Sequence, residues 1–176
     1  ADLKVPAMLV VLSIVPLLGG VARLTSVARD NAVTADNARF LHAPVPVIVH
    51  VLSATLFSIL GAFQFSATLR ARFPGTHRKA GRLLALAGLL AGGSGLWMTA
   101  TYPIPIEMQG PLLQVVRFVV GAAMVASIVL AWSSIRRRDV QRHEAWMIRA
   151  YALRQGAGTQ VLVLLPWMLV TGHGGG

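Results

Sequence analysis

The sequence predicts an all-α integral membrane protein of five spanning helices, folded as one domain over residues 1–176. Three observations carry that reading. The chain is 55% hydrophobic and only 12% charged, about half the charged share of an ordinary soluble domain. Apolar runs long enough to cross a bilayer recur along it. Its cations cluster in short segments between those runs, as membrane topology requires.

The first apolar run spans about Val5 to Leu24, the second Pro44 to Leu69, and the third Gly81 to Pro103. The fourth spans Pro111 to Ile135 and the fifth Ala145 to Thr171. Each is near the ~20 residues that cross the hydrocarbon core, or longer and so tilted or extended beyond it. Lys4 ahead of the first run and small residues at its end imitate a signal peptide, but it is read as a retained helix. Helices two and three form one hairpin, whose inner turn ends in His77 and Arg82. Helices four and five form another, whose inner turn ends in His143 and Arg149. This weak repeat predicts a four-helix bundle of two hairpins plus one N-terminal helix. In the third helix Gly88 and Gly92, with Ala91 and Gly95 beside them, form small-residue pairs. They suit close helix contact, or leave room for a flat cofactor or a lipid chain.

The formal charge of +10 points to nucleic acid only until the cations are placed. Eleven of the 16 lysines and arginines fall at Lys4, between Arg70 and Arg82, and between Arg136 and Arg149. All of these lie on one side of the predicted topology, so nucleic acid is not an expected partner. By the positive-inside rule that side is the cytoplasm, with the N-terminus inside and the C-terminal GHGGG outside a bacterial inner membrane. The TYPIPIEMQG turn faces outward with it. Trp97, Tyr102 and Trp167 fall near the outer boundary, and Trp132 and Trp146 near the inner one. With no cysteine, any metal or haem iron must take histidine, carboxylate, methionine or tyrosine ligands.

Polar groups inside a membrane cost free energy and are the best pointers to function. His50 and Gln64 lie in the second helix, Arg117 in the fourth, and Arg149, Tyr151 and Arg154 in the fifth. His50 is suited to ligating haem or metal, to exchanging protons with a quinone, or to bonding a neighbouring helix. Arg117 either holds an anionic group or snorkels to the outer interface. Tyr151 and Arg154 share a helix face, and no carboxylate lies at their depth, which suggests either a bound anionic ligand or an arginine that snorkels to the interface. His77 and His143 occupy equivalent inner ends. One reading makes them interfacial anchors. Another makes them axial ligands of a b-type haem, with arginines neutralising its propionates. A third makes the basic cluster a surface for an acidic partner or lipid head group. The haem reading predicts that both histidines converge on one site, with Arg78, Arg82 and Arg149 around it.

Those residues also carry a resemblance. The helical His50 is followed by Gly61, Gln64 and Phe65, then by a turn bearing Leu69, Arg70, Arg72, Pro74, His77, Arg78, Gly81 and Arg82. Further on come His143, Trp146, Met147, Ile148 and Arg149. This pattern resembles a family of predicted bacterial membrane proteins, the domain of unknown function numbered 2306, over about residues 42 to 155. Glu144 departs from it, standing where the pattern has arginine. The resemblance implies a multi-helix membrane architecture and no particular chemistry.

The functional expectation is a membrane redox or electron-transfer subunit that binds b-type haem or quinone through helix-end histidines. His50, His77 and His143 are the candidate iron ligands. Gln64, Tyr151 and the arginines 78, 82, 117, 149 and 154 are candidate cofactor-binding groups. The alternative is a non-enzymatic accessory or lipid- and anion-binding protein, acting beside other membrane subunits or as a homo-oligomer. Small-molecule transport is a weaker third, because five helices leave little room for alternating access. The sequence shows no nucleophile–base pair, phosphate-cradling glycine loop or zinc spacing.

Overall fold

Proline and capping residues decide where the helices begin. The computed structural model describes residues 2–29, 33–34, 37–103 and 111–171, with side chains through Thr159. Seven helices follow in order: α1 Lys4–Ala28, α2 Ala38–His42, α3 Pro44–Phe63, α4 Ala67–Arg72, α5 Pro74–Thr101, α6 Pro111–Arg136 and α7 Val140–Thr171. Among them α1, α3, α5 and α6 contain windows of mean hydropathy 2.3, 2.0, 1.5 and 2.2, long and apolar enough to cross a membrane. The expected fifth span corresponds to α7, which is not apolar enough to count with those four, although its 32 residues reach about 48 Å at 1.5 Å per residue. Its first half holds Arg142, Glu144, Arg149 and Arg154, which dilutes its hydropathy.

Several expected boundaries shift. The second helix ends at Phe63 rather than Leu69, because Gln64 and Phe65 turn and Ser66 restarts the chain as α4. The Ser66 hydroxyl accepts from the Leu69 N–H at 3.2 Å, an N-cap in extended backbone. The third helix begins at Pro74, not Gly81. Proline at the first helical position loses no hydrogen bond and arrives with helical φ. THRKAGR is therefore helix rather than loop. The fifth likewise begins at Val140, five residues before Ala145, so His143 lies in its first turn. The first extends to Ala28. The TYPIPIEMQG turn beyond Pro103 and the C-terminal GHGGG lie outside the described residues.

The helices pack as the two-hairpin reading expects. α3 packs on α5, α5 on α6 and α6 on α7, while α3 also meets α7 and closes the four-helix bundle. α1 lies in the groove between α3 and α7. Its start is fixed at the basic end by Asp2, whose carboxylate accepts from the Ser66 hydroxyl and from the N–H groups of Ala67 (3.3 Å) and Thr68 (2.8 Å). At the opposite end Tyr102 donates to the Ala43 carbonyl at 2.5 Å. Its ring packs edge-on against Phe40 and Trp97.

Between lipid-facing helices the hydrophobic effect contributes little, so close packing and polar contacts hold the bundle. A Cβ at Gly88 would stand 2.6 Å from Ile128 Cδ1 and 2.8 Å from the Phe57 ring. That glycine lets α3, α5 and α6 meet around the two largest fully buried side chains, Phe57 and Ile128. Gly92 is closed against Val125 in the same way. Gly88 and Gly92 thus serve helix contact. Three buried serines are satisfied locally, Ser53, Ser127 and Ser134 each donating to the carbonyl four residues back. The buried Ser58 hydroxyl has no partner among the described residues.

Candidate functional site

At the basic end the bundle opens into a cavity of about 560 Å³ between α3, α5, α6 and α7. That volume is within the range of small-molecule sites. Its apolar lining is made by the buried Phe57, Leu84, Ile128 and Tyr151 ring, with Met147 and the more exposed Trp132. Its mouth carries Arg70, Arg78, Arg82 and Arg136, with Glu144 the sole carboxylate of the lining. Cations over an apolar pocket suit a molecule that is oily at one end and anionic at the other.

His77 and His143 both line this cavity, and they lie within electrostatic range of each other. Local rules place His143. The end of α6 closes with Arg138 N–H bonded to Ile135 O at 3.1 Å and Asp139 N–H bonded to Ser134 O at 3.0 Å. Arg138 takes φ 61°, the left-handed residue such a helix ending needs. Asp139 then caps α7, accepting from the Arg142 N–H at 3.0 Å. This tight reversal lays the first turn of α7 against α6, and His143 Nδ1 meets the Ala131 carbonyl at 2.9 Å. A carbonyl only accepts, so Nδ1 carries the hydrogen. Nε2 is then the nitrogen left to ligate a metal or exchange a proton.

The His77 imidazole, half-buried in the first turn of α5, has no hydrogen-bond partner among the described residues, while its backbone N–H donates to the Phe73 carbonyl at 3.0 Å. Beside it Arg78 donates from Nε to the Pro74 carbonyl at 3.3 Å. Arg70 and Glu144 approach to 3.9 Å with both side chains about half exposed, so the pair adds little to stability. Gln64 completes the α3 side. Tyr151 donates to the Ser58 carbonyl at 2.5 Å, and its ring meets Phe65 edge-on at 5.0 Å. That bond locks the register of α7 against α3.

The other expected residues lie elsewhere. Arg149 stacks over the Trp146 ring at 4.5 Å and is absent from the cavity wall, because the α7 helix turns it to the exposed side. His50 stands deeper, between α3 and α5, with Nδ1 donating to the Ala91 carbonyl at 2.9 Å. A Cβ at Gly95 would stand 3.2 Å from its Cε1. Arg154 lies where α1, α3 and α7 meet, within electrostatic range of His50 and Tyr151. Arg117 belongs to the opposite end, near Arg39, whose guanidinium sits 4.8 Å over Phe40. Sequence reasoning missed Arg70, Arg136, Glu144 and the aromatic wall as parts of the cavity. Arg70 and Arg136 were visible as cations in the right clusters, and Glu144 as the departure from the motif. Among the described residues no three His, Cys, Asp or Glu side chains gather to hold a metal ion; a haem iron takes only two axial ligands from the protein.

A family model described as predicted membrane protein, domain of unknown function 2306, matches residues 47–174. The chain belongs to this family. No curated protein and no solved structure matches it. The region shared with domain 2306 takes in both hairpins and the whole cavity lining, and leaves α1 outside.

Proposed function

We propose that this protein is a membrane redox subunit whose basic-end cavity binds a flat, anionic or oxygen-rich cofactor, b-type haem first and quinone second. One observation carries the reading: two histidines from equivalent turns of the two hairpins line a single aromatic-walled cavity mouthed by arginines. Haem chemistry asks for that combination, with imidazoles for the iron, apolar walls for the macrocycle and guanidinium groups for the propionates. When bound, haem would supply one-electron transfer. The chain's own residues would hold it: Ala131 keeps the His143 ring by Nδ1, and Phe57, Ile128 and Trp132 would supply apolar lining for it. The basic end faces the cytoplasm of a bacterial inner membrane in this reading, which rests on the bias of lysine and arginine.

A second reading draws on the four arginines at the mouth. They also suit the phosphate of an anionic lipid, with its acyl chain along the apolar wall. The protein would then be an accessory lipid- or anion-binding subunit, alone or beside other membrane subunits. The visible spectrum of protein purified from haem-replete cells separates the two. A reduced α-band that His77→Ala and His143→Ala each abolish in folded protein supports the redox reading. A colourless preparation that carries anionic lipid, lost in Arg78→Ala/Arg82→Ala, supports the second.

A further inference from the structure

Arg154 is a partly buried guanidinium within the bundle that pairs with no carboxylate among the described residues. Five residues beyond Arg149 on α7, it stands about 7.5 Å deeper along the helix axis. Its Nε is buried without a hydrogen-bond partner. The guanidinium folds over Gly158, where a Cβ would lie 2.5 Å from Nη1 and 3.3 Å from Pro16 of α1. Any larger residue at 158 would push it out of the α1–α7 seam. Of the carboxylates among the described residues, Asp2 and Asp139 precede α1 and α7, and Glu144 stands near the start of α7. Glu144 pairs with Arg70. The neighbouring polar groups are already engaged. Tyr151 donates to Ser58 O, His50 Nδ1 to Ala91 O, and Gln155 to Leu9 O at 2.9 Å. A charge this deep is normally paired or faces a binding site.

We propose that Arg154 anchors a second site, separate from the basic-end cavity, for the carboxylate of a single-chain amphiphile such as a fatty acid. The carboxylate matches the planar fork of the guanidinium and neutralises it, which a neutral quinone does not do. The hydrocarbon tail then lies among lipid-facing surfaces along α1 and α7. His50, from the α3 side, and Tyr151 lie within electrostatic range of the guanidinium.

The test uses the full chain in phosphatidylcholine nanodiscs, with the fluorescent fatty acid cis-parinaric acid as probe. Wild type should bind the acid saturably and not its methyl ester. Arg154→Gln should weaken binding by roughly thirtyfold or more, as removal of a buried charge partner does, and Arg154→Lys should recover part of it. If Arg154→Gln does not fold, Gly158→Ala, which crowds the guanidinium without removing it, should weaken binding instead. Unchanged binding in the folded variants overturns the site. So does equal binding of the ester, displacement of the acid by decylubiquinone, or binding that follows Arg78 and Arg82 instead. A colourless protein that still binds the acid through Arg154 would sink the haem reading and leave this site standing.

Discussion

His143 and Ala131 are joined across the α6–α7 reversal by a 2.9 Å hydrogen bond from imidazole Nδ1 to a backbone carbonyl. The bond fixes the tautomer and turns the ring edge bearing Nε2 away from α6. Interhelical bonds of this kind are worth about 0.6 kcal/mol on average in membranes. His143→Ala should therefore lower thermal stability in detergent only slightly, while removing any cofactor signal completely. A large drop in melting temperature would show that the ring's main work is structural.

Two glycines of α5 make a matched pair of opposite sign. Gly88 is closed against Ile128 and Phe57, whereas nothing lies within 4 Å of a Cβ at Gly93. Gly88→Val should destabilise by about 1–3 kcal/mol through overpacking. Gly93→Ala should be neutral or stabilising, because the helix gains propensity without a clash. Unfolding both variants in a denaturing detergent titration would reveal the contrast.

The α6–α7 turn yields a second matched pair. Arg138 holds a left-handed conformation with φ 61°, which costs an L-residue ~1–2 kcal/mol. Arg138→Gly should relieve part of that cost and raise the melting temperature. Asp139→Ala removes the N-cap of α7 and should cost about 1 kcal/mol. If both changes lower stability equally, the capping account of this turn fails.

Asp2 supplies a pH dependence. The Ser66 hydroxyl, and then the Thr68 N–H, hold its carboxyl down to about 2 from the usual 3.8. A lowered pKa in the folded state means the clasp contributes fully above about pH 4 and is lost as pH falls through about 2. Carboxyl-carbon NMR of Asp2 should titrate in that low range. Ser66→Ala should move the midpoint back towards 3.8; an unchanged midpoint would break the argument.

The membrane class, the two hairpins and the placing of His77 and His143 along one cavity were legible because apolar length, cation bias and a weak repeat all pointed the same way. Helix starts were legible only in part. Pro74 and Asp139 signal helix onset, but the charges around THRKAGR and RHEAW read as loop when hydropathy alone sets the boundary. The tie of Tyr151 to Ser58 and that of His143 to Ala131 were invisible, since both acceptors are backbone carbonyls and leave no mark in side-chain identity. Arg149 shows the same limit from the other side. Spacing put it near the site, and only the rotation of α7 sends it to Trp146 instead.

The tight turn at Arg137 and Arg138 also bears on how the chain enters the bilayer. Presented alone, the first half of α7 is a poor substrate for insertion, because each arginine at helix centre costs about 2.5–3.5 kcal/mol on insertion scales. A reversal this short does not let α6 integrate while α7 waits at a distance. The two must partition together, with α6 carrying its charged partner across the interface as a hairpin. Lengthening the turn with a flexible glycine–serine insert would uncouple them, and the defect would appear as failed biogenesis before any loss of binding.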